Sequence, residues 1–99
     1  MFVFRVKVEE LTEKSLSLLE LGLSESGKML GAVCPIREMN VVAQSGNRDR
    51  ALDIYLALDD FIEASQVRRL MGELQGMIGH DMRAAEAVEP RITTELIQI

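Results

Sequence analysis

Ninety-nine residues, 47% of them hydrophobic, describe one domain over 1–99, long enough for a single core and too apolar to stay disordered. A net charge of −5 and a pI near 4.8 argue against nucleic acid and anionic membrane as partners, because both attract basic surfaces. The lone Cys34 suits a reducing compartment, and the charged break after Phe4 with no long apolar run to follow reads as neither signal peptide nor membrane span, so a soluble cytoplasmic protein is expected.

Phe2 to Glu9 alternates, with Phe2, Phe4, Val6 and Val8 on one side and Arg5, Lys7 and Glu9 on the other. That is the pattern of a half-buried strand. Glu10 to Ser15 reads as a polar connection. From Leu19 to Cys34 the chain sorts as a hairpin turning at Ser26-Gly27. Leu23 falls opposite Leu30, Leu21 opposite Ala32 and Leu19 opposite Cys34, all on one face. Side chains alternate along a strand, so a slip of one residue would scramble this agreement. The competing reading is a helix over 11–23, with Leu11, Leu16, Leu18, Leu19 and Leu23 on one arc and Leu21 off it.

Pro35 ends that segment. Arg37 to Gln44 follows as a strand with Met39, Val41 and Ala43 on one face, then a polar turn at Ser45–Arg50. Ala51 to Leu58 is a second clear strand, Leu52, Ile54, Leu56 and Leu58 pointing in and Asp53 and Tyr55 out. The two should pair as a hairpin. A helix over 60–78 comes next, with Asp60 and Glu63 at capping-box spacing. Val67, Leu70, Met71, Leu74, Met77 and Ile78 form its apolar stripe, and Gly79 is the expected stop. Met82 to Glu89 reads as a link, and Arg91 to Ile99 as a last strand introduced by Pro90.

The expected fold is α+β: a single, mainly antiparallel sheet of about five to six strands packed by one main helix. Phe2–Val8 and the final strand would be its exposed edges. If the helix replaces the hairpin, the order becomes β-α-β-β-α-β, a ferredoxin-like arrangement.

Groups that could do chemistry are few, and each has an ordinary use. Cys34 needs a base, and His80 is the one histidine; the hairpin register buries the thiol instead. One His and one Cys cannot fill a zinc shell, so no metal and no cofactor is expected. Asp59, Asp60 and Glu63 form the densest carboxylate set, which the start of a helix already explains. Arg48 and Arg50 flank a Gly-Asn turn that could hold a small anion. Opposite the helix stripe, Ser65, Gly72 and Gly76 make a ridge of small residues beside Arg69. Each glycine costs about 1 kcal/mol in a helix interior, so the ridge suggests a close approach by a partner, beside the plain reading of two tolerated glycines.

Three functional readings result. The first is a small accessory or protein-interaction domain that forms a homodimer, with Ser65, Arg69, Gly72 and Gly76 at its interface. The second is a small-ligand or sensor domain with a pocket between sheet and helix, lined by Arg37, Glu38, Asn40, Gln44 and Tyr55. The third is an enzyme whose site is shared between subunits and uses His80 or the Asp59–Asp60 pair.

Overall fold

The computed structural model describes residues 1–45, 50–84 and 90–98. Six elements follow one another: β1 (Phe2–Leu11), α1 (Glu13–Val33), β2 (Ile36–Ser45), β3 (Arg50–Leu58), α2 (Ala64–Ala84) and β4 (Arg91–Gln98). The sheet has four strands in the order β2-β3-β1-β4, every neighbouring pair antiparallel. The sheet is therefore shorter than the five to six strands expected from sequence. Its edges are β2 and β4, and the Phe2–Val8 strand is interior, between β3 and β4.

The missing strands are the hairpin, which is instead α1. Thr12 caps this helix: its backbone N–H donates to Ser15 Oγ at 2.8 Å, and the Ser15 N–H donates to Thr12 Oγ1 at 3.1 Å. Beyond that cap the segment holds no β-branched residue before Val33, and leucine favours helix. Burial separates the two readings. A hairpin puts Leu19, Leu21 and Leu23 on one face, whereas Leu19 and Leu23 are buried and Leu21 is 57% exposed. The buried set Leu16, Leu19, Leu23 and Leu30 follows helical spacing. The helix starts later than the 11–23 alternative and runs further, ending at Cys34, whose N–H donates to the Leu30 carbonyl at 3.1 Å.

The second helix also shifts. Asp60 lies in a turn closed by the Ile62 N–H on the Asp59 carbonyl, and it pairs with the amino terminus rather than capping a helix. The start falls at Glu63, whose carbonyl accepts from Gln66 and Val67, while the Gln66 side chain accepts from the Glu63 N–H at 3.0 Å. This is one half of a capping box. Gly79 does not stop α2. No described glycine takes a positive φ, and Met82 continues the buried series Leu70, Leu74 and Ile78. Met82–Ala84, expected in a link, are thus helical; residues 85–89 lie outside the described set.

Both helices cover one face of the sheet. The core joins Leu16, Leu19, Leu23 and Leu30 of α1 to Leu70, Leu74, Ile78 and Met82 of α2. The strands supply Val6, Val8, Leu52, Ile54, Leu56 and Leu58. The expected β2–β3 hairpin is present, with Met39, Val41 and Ala43 opposite Leu56, Ile54 and Leu52. No described helix is long and apolar enough to cross a membrane.

Candidate functional site

The face of the sheet away from the helices carries a polar network centred on Asp53. This carboxylate lies on the side without a helix, yet it is 0% exposed, because longer neighbours close over it. Arg5 donates from Nε and Nη2 to the two carboxylate oxygens at 3.4 and 3.3 Å, and Gln44 Nε2 donates to Oδ2 at 2.7 Å. Lys7 is the register partner of Asp53 on β1. The hydrogen bonds and charge of Asp53 push the Arg5 guanidinium still further toward its charged form.

Four of the five residues expected to line a ligand pocket lie on this same face. Asn40 sits opposite Tyr55, Glu38 opposite Ala57 and Gln44 opposite Ala51. They are not beneath a helix. They alternate with Met39 and Val41, which pack partly buried against the core, so they turn outward. Arg37 stands apart at the bulge between Ile36 and Glu38, where its Nη1 lies 3.5 Å from Asp59 Oδ1.

A second feature, which sequence reasoning missed, is an apolar cleft on the helix side, beside β4. Phe2, Phe4, Ile62, Ala64, Val67 and Leu96 line it, with Arg68 as the charged member, and it encloses about 570 Å³. Leu96 and Ile97 are each 45% exposed, and nearby in the chain Phe61 of the β3–α2 turn is 79% exposed. The alternation of β4 signals that Ile92, Thr94 and Leu96 share a face. It carries no sign that α2 leaves the far end of that face uncovered.

The small-residue ridge lies where its spacing places it, on the exposed face of α2, with Ser65, Arg69, Gly72 and Gly76 all exposed. A Cβ added at Gly72 or Gly76 would meet nothing within 4 Å, so no close approach among the described residues accounts for either glycine. The tight position is Gly22 of α1. A Cβ there would come within 2.5 Å of Asp81 Oδ2, which marks where the helices cross. Gly72, Glu73, Gly76, Met77, His80 and Asp81 line a shallow recess of about 340 Å³.

Cys34 is buried as expected, at the end of α1 rather than on a hairpin arm, and burial pushes its thiol up. His80 is inside α2, not beyond a stop at Gly79. It neighbours Asp81, which abuts Gly22, and Cys34 lies about 18 Å further along α1 at 1.5 Å per residue. The two do not meet. Asp59 pairs with Arg37, Asp60 with the amino terminus, and Glu63 begins α2. Among the described residues no three His, Cys, Asp or Glu side chains converge to hold a metal. The anion loop expected at Ser45–Arg50 falls mostly on 46–49, outside the described residues.

No protein-family model matches the chain, and no curated protein matches it. Solved structures do. The de novo designed protein Foldit4 is 12% identical, with a TM-score of 0.72 over 99% of this chain and 97% of the other. A second de novo design, described as having a ferredoxin fold, is 13% identical, with a TM-score of 0.71 over 100% of this chain and 88% of the other. At this identity the likeness concerns fold alone, and it agrees with the ferredoxin-like alternative read from the sequence.

Proposed function

We propose that this chain is a cytoplasmic, self-associating interaction domain that works by binding rather than by catalysis. The observation that supports it most is β4. This strand is an edge of the described sheet, so among the described residues one row of its N–H and C=O groups has no ladder partner. The same strand presents Leu96 and Ile97 with nearly half their surface in solvent. An edge that is both unpaired and apolar is a ready template for another strand. The acid–base groups support the binding side of the reading, because Cys34 and His80 are apart and the Asp59 and Asp60 carboxylates are already paired with Arg37 and the amino terminus. Sedimentation equilibrium across a wide concentration range tests it. A mass of two chains is expected, and a single-chain mass throughout would refute the reading.

The cleft favours a second reading, the binding of a small apolar anion. Its volume of about 570 Å³ falls within the range of small-molecule sites, and Arg68 offers a cation beside Phe2, Phe4 and Val67. Calorimetric titration with a medium-chain carboxylate should then give saturable heat that Val67→Trp abolishes.

A further inference from the structure

We infer that two copies join through β4 in an antiparallel pair centred on Thr93, giving one continuous eight-stranded sheet; this rests on the self-association proposed above. The charge order on the face away from the helices selects this pairing. On that face Glu9 of β1 lies opposite Arg91 of β4, Lys7 opposite Thr93, and Arg5 opposite Glu95. Arg91 Nη1 is 3.8 Å from Glu9 Oε2. Arg91 and Glu95 are thus opposite charges equally spaced about Thr93.

A two-fold axis at Thr93 sets Arg91 against the partner's Glu95, and Glu95 against the partner's Arg91. The row across the joined sheet then reads Glu9, Arg91, the partner's Glu95, the partner's Arg5. Every charge in it has opposite neighbours. The middle row runs from Asp53 through Lys7 to Thr93 and mirrors itself across the axis. Opposed charges across a strand pair are favourable and like charges unfavourable, so this row selects a register.

Other registers fail on the same strand. An axis normal to the sheet keeps each face on its own side, so the axis can shift only to positions that preserve side-chain parity. Centring on Thr94 sets Arg91 against the partner's Ile97 and leaves the charges unmatched. It also draws Ile97 into the ladder, where β4 bulges between Leu96 and Gln98. Centring on Ile92 leaves Glu95 without an opposite residue in the strand. The other edge offers nothing comparable, because β2 presents Glu38, Asn40, Val42 and Gln44, a set with one charge and no complement. On the helix side the Thr93 register places Leu96 against the partner's Pro90, covering part of its exposed surface.

Two charge reversals test the register. In Arg91→Glu alone the pair would set Glu against Glu, and in Glu95→Arg alone Arg against Arg. Mixed together, the two variants restore both opposite-charge pairs. Strain inside each monomer, from the introduced carboxylate facing Glu9 or the introduced guanidinium facing Arg5, is the same before and after mixing and cannot produce the recovery. Circular dichroism confirms that each variant is folded before association is read. Native mass spectrometry is expected to find a wild-type dimer, a dissociation constant raised about tenfold or more in each variant alone, and a heterodimer on mixing. A Thr93→Cys chain should also form a disulfide with its copy on mild oxidation, since directly opposed residues lie within bridging distance. If both reversal variants stay dimeric alone, or the mixture forms no heterodimer, the Thr93 register is wrong while self-association stands. A wild-type chain that stays monomeric overturns the register and the proposed function together.

Discussion

Glu10 has a φ of 62°, the one positive value among described non-glycine residues. It sits where β1 carries an extra residue against β3, between the pairs Val8–Leu52 and Leu11–Arg50. A bulge of this kind favours glycine, because a side chain in the left-handed region crowds its own carbonyl. Glu10→Gly should therefore raise unfolding free energy by about 1 kcal/mol in urea titration, a gain seldom seen for glycine inside a strand. Gly22 poses the reverse case. Alanine would gain about 1 kcal/mol of helix propensity but would press its Cβ on the Asp81 carboxylate. Gly22→Ala is expected to realise less of that gain in the wild type, where the carboxylate must swing aside, than in an Asp81→Ala background, and the double-mutant cycle reads the contact directly.

Asp81 also gives a pH signature. Burial raises its pKa above the ordinary 3.8, with His80 pulling partly the other way. The folded state therefore binds this proton more tightly than the unfolded state. The stabilisation is complete below the unfolded value and is lost as pH rises through the folded one. Asp81→Asn should be more stable than wild type at neutral pH, and the difference should vanish as pH falls toward about 3. A constant gap across that window would mean that the charge is not the cause.

At the scale of elements, β1, β3 and the stripe of α2 are legible because each shows a single period over enough residues, and β4 because its isoleucines and threonines favour strand. The first helix is not. Leu16 to Leu23 satisfies both a two-residue and a helical period, and glycines at 22, 27 and 31 resemble turn and strand breaks. The deciding information is the cap, in which serine at position 15 stands where a glutamate would advertise the motif. Leu21 was the better guide, since its place off the helical arc is where exposure is found. In α2 the exposed glycines yield a prediction that separates two interfaces. With open space around each Cβ, Gly72→Ala and Gly76→Ala should each stabilise the fold by up to about 1 kcal/mol. If β4 carries the association, neither changes the dimer constant. A dimer joined through the Ser65–Gly76 ridge would instead weaken in both.

For the molecule as a whole, the expected strands carry Glu38, Asn40, Gln44 and Tyr55, and it is the pairing of β2 with β3 that sets these four on one face. They do not line a pocket beneath a helix, because the alternation that half-buries Met39 and Val41 turns those four away from the helices, and the cleft on the helix side is lined by Phe2, Phe4, Ile62 and Val67 instead. Strand order was also beyond the periodicity. Which strands lie at the edges follows from the two crossovers, one through α1 and one through α2, that leave β1 and β3 side by side in the centre. With β1 interior, β4 and β2 share the burden of the open sheet, and only β4 combines an apolar surface with charges that mirror about their midpoint.

Amide hydrogen exchange of the wild-type chain at several concentrations probes that claim most directly, since it reports both whether copies associate and where. Protection along 91–96 should rise with concentration while that along the outer edge of β2 stays constant. Exchange in β4 that ignores concentration, or new protection confined to β2 or to the outer face of α2, would contradict an assembly built on this strand.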